Sequence, residues 1–253
     1  MKIALYSDIH AHIPQLDAIQ EAVAKENADR EILIGDLVML GPEPSEVVER
    51  FRGRKDVDVL VGNLDLWVAN RKDETDKPKN EHHEWLFGMT RLTRERLSEE
   101  QLVWLRGLMW SMTITPEAGH DFYIFHATPG DIEDAIPLRF TDDEVREKLG
   151  DGAGASAEIM AFGHVHGPYI RQVGSQTLLC TAAVGMNWDG DYRPAYSIVE
   201  YEGNGKWHAE VKRVEYDCAA QAKRTAESWL PHGERIAKMV QTGEFWNPAH
   251  MPH

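Results

Sequence analysis

The chain has 253 residues, which suits one large α/β domain or two small ones. Hydrophobic residues make up 42% and charged residues 27%, a balance that excludes disorder, collagen and coiled coil as whole-chain readings. Lys and Arg total 27 against 42 Asp and Glu, a net charge of −15, and so acidic a surface repels a phosphate backbone and excludes a stable duplex nucleic-acid partner.

Residues Lys2–Ser7 form a short apolar run ending at Asp8, the pattern of a buried strand. Ile13–Lys25 carries apolar residues at helical spacing, with Pro14 in the first turn where proline is tolerated. Glu31–Ile34 is a second strand ending at Gly35-Asp36, Ser45–Phe51 a helix, and Val57–Val61 a third strand ending at Gly62-Asn63. This β-α-β-α-β opening predicts a parallel sheet with right-handed crossovers. Arg71–Glu84 is polar and holds the pair His82-His83, and reads as an exposed loop or helix start. Trp85–Leu97 and Glu99–Leu108 read as helices, the second opened by a Ser98/Gln101 capping box. Strands follow at Met112–Thr115, Asp121–His126, Ile159–Gly163, Tyr169–Val173, Thr177–Thr181, Ala195–Tyr201 and Trp207–Val214. Two helices, Cys218–Leu230 and Glu234–Gln241, close the chain, which reads as a single domain over 1–253 with its C-terminal helices at about 217–242.

No apolar run approaches the ~18 residues of a membrane span. Cys180 and Cys218 stand in unrelated contexts and the N-terminus lacks a signal-peptide pattern, so a cytoplasmic protein is expected.

The chemistry collects where strands end. Asp8 and His10, Asp36, Asn63, His126, and His164 with His166 each stand just past a strand's carboxyl end, the rim where open α/β sheets bind ligands. Seven hard oxygen and imidazole ligands, with a carboxylate able to bridge, suit two divalent metals about 3.5–4 Å apart. Asp and His without Cys favour Mn, Fe, Zn or Ni. The Asp-x-His and His-x-His spacings put both side chains on one side of an extended segment. A lone histidine or Gly-Asp turn carries no such weight; five in order, each at a strand end, do.

The series DxH, GD, GNxD, H and GHxH resembles the calcineurin-like metallophosphoesterase family, in its bacterial and archaeal phosphodiesterase-like branch. SDIHAHIPQLDAI, GDLVMLGPEPSEVV and AAVGMNWDGDYRPAYSIVEY extend the resemblance over residues 1–215. It implies a four-layer αββα sandwich with mixed sheets and a dimetal site at one edge, manganese favoured. It further implies that Asp8, His10 and His166 hold one metal, Asn63, His126 and His164 the other, and that Asp36 bridges them. The implied reaction is direct attack on phosphorus by a bridging hydroxide, and the implied substrate a phosphorylated small molecule or nucleotide. An oligomer is compatible with this reading.

The chain departs from the family at Gly62-Asn63-Leu64-Asp65, where many relatives have a histidine in place of Leu64. Leu64 cannot donate a proton to a leaving group, which favours phosphodiesters or nucleotide anhydrides over alkyl monoesters. His12, two residues past His10, is the candidate substitute donor, with His82 and His83 as further ones. Asp65 either orients a metal-ligand histidine or caps the following helix. Arg193 either approaches a phosphate or joins a structural ion pair. Trp67, Trp85, Trp104 and Trp110 read as packing residues. The competing readings are a phosphomonoesterase or protein phosphatase of the same fold, a degenerate metal-dependent phospho-ligand binder, and a nuclease disfavoured by the acidic surface.

Overall fold

The computed structural model describes residues 1–152 and 154–246; positions 153 and 247–253 of the expected domain lie outside the described residues. The first half alternates β1 (Lys2–Tyr6), α1 (Ile13–Glu26), β2 (Arg30–Ile34), α2 (Pro44–Phe51), β3 (Val57–Leu60) and α3 (Asn63–Ala69). Two further helices, α4 (Lys72–Thr75) and α5 (Glu81–Arg94), occupy the polar stretch, and α6 (Glu99–Arg106) follows. The second half carries β4 (Ser111–Glu117), β5 (His120–Phe125), α7 (Asp142–Leu149), β6 (Ile159–Phe162), β7 (Tyr169–Val173), β8 (Gln176–Cys180), β9 (Ala195–Gly203) and β10 (Lys206–Arg213). The chain then runs through α8 (Cys218–Ala226) and α9 (Gly233–Thr242).

Two five-stranded mixed sheets result, ordered β10-β9-β1-β2-β3 and β4-β5-β6-β8-β7. In the first, β1, β2 and β3 are parallel, with Leu5 opposite Ile32, and β9 runs antiparallel to β1. In the second, β5, β6 and β8 are parallel, flanked by antiparallel β4 and β7.

The period of two along each strand decides the layers. Ile3 and Leu5 of β1 enter a core between the sheets with Ile32, Ile34, Phe122, Ile124 and Leu179. Ala4 and Tyr6 face the other way, into a larger core with α1, α2, α3, α5, α6 and α9. On the outer face of the second sheet, Phe125, Met160 and Phe162 pack with Val145 and Leu149 of α7. Helices, sheet, sheet and helix are therefore stacked as the expected αββα sandwich. Leu230, Ile236, Met239 and Val240 join the larger core, so the C-terminal helices pack on the same sheet as α1.

The sequence reading gave α3 no bounds beyond a helix following Asp65, left α4 within a stretch read as loop or helix start, and passed over α7. For α7 the signal was present: Thr141 accepts from the Glu144 amide and the Glu144 carboxylate accepts from the Thr141 amide, a complete capping box.

Candidate metal centre

The parallel strands of both sheets end on one rim, and the loops beyond them are zipped together. The amides of Asp8, His10 and Ala11 donate to the carbonyls of Gly35, Asp36 and Leu37 at 3.0, 3.0 and 2.8 Å. The Gly163 amide donates to the His126 carbonyl at 2.9 Å, tying the β6 loop to the end of β5. This close approach requires glycine: a Cβ at Gly163 would collide with the Ser7 hydroxyl and the Asp8 carboxylate, and one at Gly62 with Asp36.

The candidate ligands converge through strained turns, not through extended chain. Asp8, His10, Asp36, His164 and His166 have φ of 56°, 50°, 53°, 66° and 53°. Each such non-glycine residue costs roughly 1–3 kcal/mol and persists where surrounding structure enforces it. The expected same-side argument for the Asp-x-His and His-x-His pairs is thereby corrected.

Two groups of residues that could hold a metal ion form. In the first, His10 Nε2 and His166 Nε2 are 3.1 Å apart, and Asp8 Oδ1 lies 3.4 Å from the latter. In the second, Asn63 Oδ1 is 3.1 Å from both His126 Nε2 and His164 Nδ1. Asp36 Oδ2 joins them, 3.8 Å from His10 Nε2 and 3.6 Å from His126 Nε2.

Each carboxylate is anchored by one oxygen and offers the other. Asp8 Oδ2 accepts from the Ser7 hydroxyl at 2.5 Å and the His164 amide at 2.9 Å, while its buried Oδ1 has no hydrogen-bond partner among the described residues. Asp36 Oδ1 accepts from the Leu64 amide at 2.9 Å. The histidines are oriented from behind in the same way. His126 Nδ1 donates to the Ile34 carbonyl at 2.8 Å and His166 Nδ1 to the Met186 carbonyl at 2.5 Å, which assigns bare Nε2 lone pairs to the centre.

Electrostatics agree with a cation site. Burial and the charges of Asp65 and Asp8 push the Asp36 carboxyl well above its usual range. For Asp8, burial acts upward but is outweighed by His166, His126 and His10, and the carboxyl is held low. Burial depresses His10 and His126 and takes His164 down to about 3, so these rings are neutral near pH 7, the form that ligates metals. The unpartnered Asp8 oxygen and the neutral imidazoles facing one another, beside an Asp36 whose ionised form a cation would favour, fit two divalent cations.

His12 is elsewhere. It is fully buried, does not line the cleft over the centre, and its Nδ1 accepts from Gln221 Nε2 of α8 at 2.7 Å. The rim position expected for it is not observed, because His10 and Ala11 both turn through positive φ and redirect the chain. Asp65 caps α3 by accepting from the Gly62 amide at 3.0 Å, and also accepts from the amides of Leu37 and Val38 at 2.9 and 3.2 Å. Among the described residues it makes no hydrogen bond to a candidate ligand histidine. Arg193 is held by Asp191 and Glu215 in a structural ion pair.

A cleft of about 130 Å³ opens over the centre. Its floor is His10, Asp36, Asn63, His164 and His166; Leu64 and His82 stand on its wall. Trp85, read from the sequence as packing, lines it too, as do Trp188, Met239 and Phe245, which the sequence reading did not single out. Trp188 lies within the quoted segment AAVGMNWDGDYRPAYSIVEY, but Met239 and Phe245 stand beyond the residues that carry the resemblance.

A search among solved structures gives fold-level likeness to a metallophosphoesterase from Sphaerobacter thermophilus, 23% identical with a TM-score of 0.73, covering 96% of this chain and 100% of that one. A hypothetical protein from Pyrococcus horikoshii is 18% identical with a TM-score of 0.80, covering 97% and 99%. An uncharacterized protein of Methanocaldococcus jannaschii is 25% identical over 254 residues, covering 92% of this chain and 96% of the relative. Residues 1–204 match the family model described as the calcineurin-like phosphoesterase superfamily domain, a family of metal-dependent phosphoesterases that use divalent metals. With that match covering β1 to β9 and all seven candidate ligands, the chain belongs to the calcineurin-like phosphoesterase superfamily.

Proposed function

We propose that this protein is a cytoplasmic dinuclear phosphodiesterase, with manganese the favoured metal, that hydrolyses its substrate without a covalent phosphoenzyme. The observation that carries this reading is the position of Asp36 Oδ2, within 4 Å of a ring nitrogen from each ligand group. Asp8, His10 and His166 would hold one cation, Asn63, His126 and His164 the other, with Asp36 shared. Two divalent cations bound there lower the pKa of a shared water and neutralise charge on the phosphoryl oxygens.

The chain's own residues supply orientation and selectivity. The Leu64 amide anchors Asp36, while its side chain lines the cleft and has no proton to give. A leaving group must therefore be stable without protonation from that position, which favours diesters with good leaving groups over alkyl monoesters. The described residues lining the cleft include no Lys or Arg. A polyphosphate arm extending past the metals would find no cationic side chain, so a singly charged diester suits the cleft better than a nucleotide anhydride.

The test is hydrolysis of bis-p-nitrophenyl phosphate beside p-nitrophenyl phosphate by Mn²⁺-loaded protein, with Asp36→Asn as control. The diester is expected to show the higher kcat/KM, and the control to fall to background. A preference for the monoester would point to a phosphatase with another proton donor. Two bound metals with no turnover of either ester would point to a phospho-ligand binding protein.

A further inference from the structure

We propose that the cleft over the metal centre is a nucleobase subsite: it takes one planar heteroaromatic ring carried by the phosphoryl group that the metals hold. This rests on the phosphodiesterase reading and adds the identity of the substituent.

Size restricts the occupant. At about 130 Å³ the cleft is well below the ~300 Å³ of ordinary drug-sized sites, room for a ring beside a phosphoryl group and little more. Its chemistry restricts it further. Trp188 lies flat on the ligand His166, with centroids 3.8 Å apart and planes 13° apart, so the metal floor continues directly into an aromatic wall. Phe245, on the segment after α9, packs against Trp188 at 4.7 Å and against His82 at 5.9 Å. His82 in turn lies 5.7 Å from Trp85 on α5. Three separate segments thus bring aromatic rings to a cleft whose remaining wall is Leu40, Leu64, Leu86 and Met239. Such a surface binds a ring by stacking and excluded water.

What the cleft presents is ring surface, not polar atoms. Trp188 Nε1, Trp85 Nε1 and His82 Nδ1 are sequestered from solvent and so do not face the open cleft. These residues offer an occupant aromatic surfaces to lie against. A purine or pyrimidine presents a stackable plane to them; an alkyl or acyl chain does not. The absence of Lys and Arg among the described lining residues fits recognition of an uncharged ring, leaving all anion binding to the metals.

The experiment compares AMP with ribose 5-phosphate, which differ only in the base, binding to Mn²⁺-loaded protein by calorimetry and tryptophan fluorescence. AMP is expected to bind about tenfold or more tightly, with a fluorescence change, and Phe245→Ala and Trp85→Leu are each expected to cut that ratio several-fold. Equal affinities, or a ratio that survives in both variants, would overturn the subsite. Thymidine 5′-p-nitrophenyl phosphate and methyl p-nitrophenyl phosphate share a leaving group, and the nucleoside ester is expected to show the lower KM. If neither ester turns over while the AMP preference holds, the phosphodiesterase reading fails and the subsite stands. If both turn over alike and AMP shows no preference, the reverse holds.

Discussion

Asn63 Oδ1 and His126 Nε2 face each other at 3.1 Å with no proton between them, because the proton of that ring is on Nδ1 and donated to the Ile34 carbonyl. Two acceptors in buried contact are unfavourable unless a cation lies between them. Metal binding is therefore expected to stabilise the fold. At a hundredfold excess over Kd the gain is about 2.7 kcal/mol. For a chain of this size that raises Tm by roughly 5–10 °C. Thermal melts with EDTA and with Mn²⁺ measure it. Asn63→Leu should melt at or above wild type without metal and lose most of the gain with it; an undiminished gain would remove Asn63 as a ligand.

The linkage of His12 to pH has a definite sign. Burial takes its imidazole down to about 3, below the ordinary value near 6.5. Above pH 6.5 it is neutral folded and unfolded, and contributes no pH dependence. Between pH 6.5 and about 3 the unfolded chain binds a proton that the folded one refuses, so stability falls with pH at up to about 1.4 kcal/mol per unit. Urea unfolding of metal-free protein at several pH values should show a shallower slope for His12→Gln than for wild type. The other histidines are common to both proteins, so the difference isolates this ring. Identical slopes would mean that His12 is not held neutral, and a large loss of turnover in a folded, metal-loaded His12→Gln would restore it to the reaction.

Asp65 bears on the metal centre without touching a ligand histidine. Its carboxylate accepts from the amides of Gly62, Leu37 and Val38, and so clamps the loop carrying Asp36 to the start of α3. Asp65→Ala leaves three buried N–H groups unsatisfied, a loss of about 3 kcal/mol or more. Chemical denaturation should show that loss, and metal titration should show weaker binding. A change below about 1 kcal/mol with unaltered metal affinity would contradict the clamp.

The candidate ligands were legible as a group because strand ends and ligand chemistry are both local: Asp36 and Asn63 announce themselves by type and by the glycine before them. The convergence mechanism was not legible, since the positive φ at Asp8, His10 and His166 is imposed by loops pairing across the sheet. His12 was misplaced for that reason. The cleft wall was hidden differently. Trp188, Met239 and Phe245 meet Trp85 only after β8 and α9 have packed, and an aromatic residue facing a cleft has the same sequence appearance as one facing a core.

Leu64 offers the sharpest chemical test. It stands beside Asn63 on the cleft wall, where many relatives carry histidine, and is 7% exposed. Leu64→His would place an imidazole beside the metal floor without altering the amide that anchors Asp36. A positioned general acid contributes roughly 10²–10⁴-fold where the leaving group needs a proton, and little where it does not. Phenyl phosphate, with its basic leaving group, should gain at least about tenfold in kcat/KM, while p-nitrophenyl phosphate changes little. The gain should also disappear at high pH, as the imidazole loses its proton and can no longer donate it. Equal gains for both esters would mean that the new side chain binds the phosphoryl group instead of protonating the leaving group. No gain for either, with metal content intact, would mean that Leu64 does not determine the preference for diesters.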